Sequence, residues 1–219
     1  MVCLIILLAI VATTYGFNVP GGHLWTRKNV ARGCAAESTS DAEALSPPNP
    51  SLLDIRVGEI KKCWNHPESE KLLCEEIDCG EESGPRSIAS GIAAFYNADE
   101  FVGKKVLVLA NLKDRKLAGF LSQGMVLCAS TEDGSDVKIL EPPAGAANGD
   151  RVVFSGVENG EPASSSQMKK KKILEKLAPM MKTDESGVAY CGESGMTLST
   201  GEDGELRPVT SQLKSAAIS

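Results

Sequence analysis

A chain of 219 residues with 42% apolar side chains can bury the core of one or two domains. Its formal charge of −6 disfavours an indiscriminate nucleic-acid binder, which needs an excess of basic groups. Seven cysteines without C-x-x-C spacing, beside only His23 and His66, disfavour structural zinc and a disulfide framework, and point to reducing surroundings for the folded part.

Residues 1–16 are expected to be a signal peptide: VCLIILLAIVATTYG is an unbroken apolar run, short for a membrane span, ending in small residues. Residues 17–50 read as a transit-like segment and linker. From Phe17 to Arg32 the segment carries Arg27, Lys28 and Arg32, with no acid before Glu37. A Phe-initiated basic stretch behind a signal peptide resembles the two-part presequence that directs proteins to plastids of secondary origin. Plain secretion is the alternative. The polar, proline-rich STSDAEALSPPNPS (38–51) is a linker.

Residues 51–156 are expected to form one all-β domain. Short apolar runs (LLDIRVGEI, KLLCEEIDC, RSIASGIAAF, KVLVLANL, GFLSQGMVLCAS, VKIL, DRVVFSG) alternate with turn signals such as Asn65-His66-Pro67, Gly84-Pro85 and Asp133-Gly134. Regular short strands of this kind build a barrel or sandwich. Cys74, Cys79 and Cys128 lie within these runs, so they are expected to be buried thiols. In KLLCEEIDC, Leu72 and Cys74 share one parity and Ile77 and Cys79 the other. Pointing all four inward requires a β-bulge at Glu75-Glu76.

Residues 157–219 read as an extension. A Ser/Pro linker over 160–167 precedes MKKKKILEKLAPMM, where Ile173, Leu174, Leu177, Met180 and Met181 fall at the spacing of an amphipathic helix. Pro179 is expected to end or kink it. GVAYCG and MTLST supply strand-like pieces near the end.

No nucleotide-binding glycine motif is present. His66 sits before a proline in a turn, where a capping role outweighs a catalytic one. Ser166-Gln-Met-Lys169 matches S-x-x-K only by chance, within a polar linker. The carboxylates of 68–82 read as a solvated face, and the chain as non-catalytic, with no cofactor or metal. What remains is NLKDRKLAGFLSQGM (111–125), where Lys113, Arg115 and Lys116, with Lys104 upstream, lie between two strands. Cations fixed beside a rigid strand suit a phosphate backbone, with contacts that position RNA without reading its bases. Asn111, Ser90 and Ser122 can bond sugar or phosphate oxygens, and Met125 adds an apolar contact. With 5% aromatic residues, shape and backbone recognition is favoured over base stacking.

These motifs, LLDIRVGEI (52–60), HPESEKL (66–72), SGIAAFY (90–96) and NLKDRKLAGFLSQGM, resemble the tRNA-binding domain at the ends of some methionyl- and tyrosyl-tRNA synthetases and in free-standing synthetase cofactors. The tail resembles the extension of the endothelial monocyte-activating polypeptide II branch. The resemblance implies a five-stranded OB-fold Greek-key barrel with a small α+β C-terminal extension packed on it. It also implies a tRNA partner and association with an aminoacyl-tRNA synthetase. A monomer is expected because the apolar side of the helix at 168–181 needs the barrel surface as its partner, and no membrane attachment is expected in the mature form. Family members usually carry proline at the position of Asp114 and a base at that of Ala118, so the expectation is either modest affinity or compensation by Lys169, Lys170, Lys171 and Lys172. The alternative is a secreted or organellar protein-interaction module of the same fold.

Overall fold

The computed structural model describes residues 47–200 and 204–219; the expected leader and the segment up to residue 46 lie outside the described residues. A 3-10 turn over Pro50–Leu52 leads in, with Asn49 Oδ1 accepting from the Ser51 N–H at 2.8 Å. Strand β1 (Ile55–Asn65) then serves two neighbours. Its first half pairs antiparallel with β4 (Lys105–Leu109), and its second half with β2 (Leu73–Asp78). One strand can do this only by bending, and the register shifts between Ile60 and Lys62. Gly58 lies just before the bend, where a Cβ would stand 2.5 Å from Ile77 Cγ2.

β3 (Arg86–Ser90) borders β2, the short α1 (Ala98–Phe101) lowers Phe101 into the interior, and the hairpin of β5 (Arg115–Leu117) and β6 (Phe120–Ser122) follows β4. With β7 (Met125–Val126) on the far edge, the strand order is β3-β2-β1-β4-β7. The two edges are then joined. Gln123 donates its N–H to Ser87 O at 2.8 Å, and its Oε1 accepts from the Ser87 N–H at 3.0 Å. Arg86 donates to Gln123 O at 2.7 Å and to Ala110 O at 2.8 Å, while Glu81 holds its guanidinium from the other side at 2.7 Å. The result is an OB-type barrel, all-β apart from small helical pieces.

Strand β4 is buried on both faces. Val106 and Val108 enter the barrel core with Ile60, Leu73, Ile77, Ile88 and Val126. Leu107 and Leu109 enter a second core with Ile55, Val57 and Leu127. Leu53, Leu140, Val152 and Phe154 join them, and the extension adds Met168, Ile173, Leu177, Met181, Met196, Leu198 and Val209. A sheet carries it, ordered β10 (Val153–Phe154), β13 (Ser194–Thr200), β12 (Ala189–Cys191), β11 (Met181–Thr183), β15 (Ala217–Ile218), β8 (Cys128–Ser130) and β9 (Val137–Ile139). β14 (Glu205–Pro208) pairs with β13.

Three sequence expectations are corrected. The bulge is on β1, not at Glu75-Glu76. β2 keeps an unbroken register with β3, and Leu73, Glu75 and Ile77, with Cys79 just beyond the strand, are all buried; Cys74 is buried too, on the opposite parity. Glu75 does not face solvent but points inward, where Ser90 bonds it, so no extra residue has to be absorbed in β2. Secondly, the expected single helix is two, α2 (Ser165–Lys171) and α3 (Ile173–Leu177), broken at Lys172 in the left-handed region (φ 51°, ψ 47°). Pro179 lies in a 3-10 turn after α3, and Met181 already begins β11. The break lets Met168 and the Ile173–Leu177 pair both reach the second core. Thirdly, the assumed linker at 160–167 holds the start of α2, closed by a capping box. Gln167 N–H donates to Ser164 Oγ, and Ser164 N–H to Gln167 Oε1 at 2.9 Å.

Candidate nucleic-acid interface

The β5–β6 hairpin is the shortest kind, with a two-residue loop at Ala118-Gly119 and the cross-strand pairs Arg115↔Ser122, Lys116↔Leu121 and Leu117↔Phe120. Both loop residues have positive φ (45° and 89°), the mark of the primed turns that match strand twist. Alternation sends Arg115, Leu117, Phe120 and Ser122 to one face and Lys116 and Leu121 to the other. The inner face is anchored by Phe120, whose ring lies 5.9 Å from that of Trp64 and 6.3 Å from that of His66. The cations therefore stand on a braced ribbon. Lys113, Arg115 and Lys116 are exposed, and among the described residues none of them takes part in an ion pair.

A cleft of about 720 Å³ opens beneath the hairpin. Lys113, Asp114 and Arg115 border it on the barrel side, and Met168, Lys169, Leu174 and Glu175 on the extension side. Ser90, Ser122, Met125, Val126 and Cys128 line it from the barrel. Six of the predicted residues thus meet around one space: Ser90, Lys113, Arg115, Ser122, Met125 and Lys169. Lys170, Lys171 and Lys172 are exposed alongside but do not line the cleft.

Three predicted polar contacts have other work in the fold. Asn111 accepts from the Asp54 N–H at 3.2 Å and donates to Leu52 O and Ala163 O, both at 2.9 Å, so its amide ties barrel to extension. The buried Ser122 Oγ accepts from the Ala89 N–H at 3.1 Å and donates to Gly124 O at 3.0 Å, which helps close the barrel. Ser90 Oγ donates to Glu75 Oε2 at 2.8 Å. Lys104 stands apart: it precedes β4, roughly 16 Å of strand from the hairpin side. Its Nζ lies 5.6 Å from the centroids of both Tyr96 and Phe101.

Sequence reading missed Glu75. Its side chain is 0% exposed, Oε1 has no partner, and burial pushes its carboxyl up to about 8 against the single opposing Ser90 bond. Glu75 also helps burial raise the nearby Cys63 and Cys128 thiols to about 12. His66 is the turn residue it was taken for, since its Nδ1 accepts from the Glu68 N–H at 3.1 Å.

A small OB-type barrel with an exposed basic hairpin over a cleft is the build of a nucleic-acid-binding module. The sequence profile of the tRNA binding domain matches residues 55–151. The crystal structure of the C-terminal domain of Plasmodium vivax p43 superposes with a TM-score of 0.68 at 32% identity, covering 77% of this chain and 98% of that one. The cytoplasmic tyrosine–tRNA ligase of Xenopus tropicalis is 46% identical over 130 residues, 59% of this chain and 24% of that protein. The tRNA-aminoacylation cofactor arc1 of Schizosaccharomyces pombe is 37% identical over 150 residues, 68% of this chain and 33% of that protein. This chain belongs to the tRNA-binding-domain family. It spans only about a quarter and a third of the lengths of the ligase and the cofactor, while its likeness to the p43 domain runs beyond 55–151 into the extension.

Proposed function

We propose that the chain acts as a non-catalytic tRNA-binding cofactor, which holds tRNA by its shape and backbone and presents it to an aminoacyl-tRNA synthetase in trans. The observation that carries this reading is the placement of its cations. Lys113, Arg115 and Lys169 are exposed at the two sides of one cleft, with Lys116 and Lys170 to Lys172 exposed beyond its rim. Such contacts bind phosphates regardless of sequence. A role without chemistry is supported by His66, which is buried and spends Nδ1 on a turn. A monomer unattached to membrane is part of the proposal; among the described residues no helix is long and apolar enough to cross a bilayer. The test is a gel shift of the chain against total tRNA, with duplex DNA as control. Binding to tRNA of several species at concentrations that leave DNA unshifted is expected, and equal binding to both would reduce the protein to a general polyanion binder.

Residence in a plastid of secondary origin remains part of this proposal, motivated by the sequence of residues 1–45 alone. Those residues fused to a fluorescent reporter should carry it into the plastid of such an alga, and Phe17→Ala should leave it in the endomembrane system. Reporter in the cytosol or medium in both cases would contradict the two-part leader.

A further inference from the structure

Phosphate contacts need only surface cations, so a half-open, mainly apolar cleft beneath them asks for a different occupant. The cleft's 720 Å³ is within the range of small-molecule sites. Its walls come from both cores: Met125 and Val126 from the barrel, Met168 and Leu174 from the extension. Methionine adapts to flat and irregular shapes alike. The rim carries Lys113, Arg115 and Lys169 against Asp114 and Glu175, a small positive excess that Lys116 and Lys170 extend outward.

We propose that the cleft receives one unpaired nucleotide of the bound tRNA, its base between Met125, Met168 and Leu174 and its phosphates on Lys113, Arg115 and Lys169. This rests on the tRNA-binding reading and deepens it, because it adds a base-sized contact to what is otherwise backbone recognition. Apolar walls bury the face of any of the four bases and carry no hydrogen-bonding groups that would tell them apart. The hydroxyl at the cleft wall is equally tolerant. While Ser90 donates to Glu75, its oxygen can only accept from a ligand. When Glu75 carries its proton, that proton can take over the bond and release the Ser90 hydroxyl to donate. The pocket therefore takes a base without identifying it, as a binder of many tRNAs requires.

Two measurements on the full chain test this. In the first, AMP, CMP, GMP and UMP are titrated while the methyl signals of Met125 and Met168 are followed by NMR, with ribose 5-phosphate as control. All four nucleotides should shift both signals with similar affinity, and ribose 5-phosphate should bind about fivefold or more weakly, the loss expected when about 40 Å² of apolar base surface is left unburied at ~25 cal/mol per Å². Nucleotides that bind no better than ribose 5-phosphate overturn the proposal. In the second, Ser165→Trp, at an exposed position lining the cleft, is compared with Ser166→Trp, exposed but outside it. Ser165→Trp should abolish the nucleotide shifts and weaken tRNA binding about fivefold or more, while Ser166→Trp should resemble wild type. A Ser165→Trp chain that holds tRNA as tightly as wild type overturns the cleft's role and leaves tRNA binding standing. Failure of the unaltered chain to shift tRNA at all overturns the underlying reading instead.

Discussion

Arg115 and Glu75 show how differently single charges behave in this molecule. Arg115 is exposed at the cleft's rim and unpaired, so its worth lies entirely in what it meets from outside. Contacts from Lys113, Arg115, Lys116 and Lys169 imply a slope of roughly −3 to −4 in log K against log salt, at ~0.7–0.9 per neutralised phosphate. Arg115→Ala should flatten that slope by about one and weaken several tRNA species alike, measured by gel shift over a salt series. An unchanged slope would make the hairpin ordinary solvated surface. Glu75 is the opposite case, a carboxyl whose interactions are all internal. Because burial raises it from 4.5 to about 8, the folded chain keeps a proton that the unfolded chain has released. Stability contributed by that proton is greatest below about 4.5 and declines as pH rises to about 8, by at most about 1.4 kcal/mol per pH unit. Glu75→Gln retains an acceptor for Ser90 and removes the titration. The wild-type melting temperature should therefore fall more between pH 5 and pH 9 than that of Glu75→Gln, and parallel profiles would count against a buried, proton-holding Glu75.

At the scale of elements, the β5–β6 hairpin is where structure and affinity meet. Its loop forces Ala118 to φ 45°, a region that costs a non-glycine residue about 1–2 kcal/mol and that asparagine tolerates better. Ala118→Asn should raise stability by about 0.5–1 kcal/mol in thermal or urea unfolding, without loss of tRNA binding. A destabilised variant would mean that the turn is held by contacts Ala118 alone permits. The helical segment makes the same point in reverse. Its 3.6-residue periodicity was visible, but the break at Lys172 was not, because it answers to two separate places in the second core rather than to local propensity.

For the whole molecule, the second core couples barrel to extension. Ile55, Val57, Leu107, Leu109 and Leu127 lie on the outer side of the barrel and are fully buried in a core shared with Met168, Ile173, Leu177 and Met196 of the extension. The intact chain is accordingly expected to sediment as a monomer, whereas deletion of 161–219 should uncover this patch and produce dimers or aggregates. A soluble monomeric truncation would show that the barrel does not depend on its cover, and a dimer of the intact chain that survives dilution would remove the monomer from the proposal.

Strand spacing, turn chemistry and the basic run between KVLVLANL and GMVLCAS were readable along the chain, because each is written in neighbouring residues. They gave the all-β barrel and the exposed cations of the hairpin, while the tRNA-binding family came from the resemblance of whole motifs such as LLDIRVGEI and NLKDRKLAGFLSQGM. The capping box at Ser164-Gln167 is equally legible in its S-x-x-Q spacing, although the Ser/Pro composition around it reads as a linker. Other features have no local signature. That Ser122 closes the barrel, that Asn111 ties barrel to extension, and that Lys169 faces Lys113 and Arg115 across a cleft depend on partners more than thirty residues away. Glu75 is the sharpest example: a carboxylate in a charged stretch reads as solvated until the fold turns its strand inward and sets Ser90 beside it. Periodicity determines which residues can form elements. Only packing decides which polar groups are used within the fold and which remain to meet RNA.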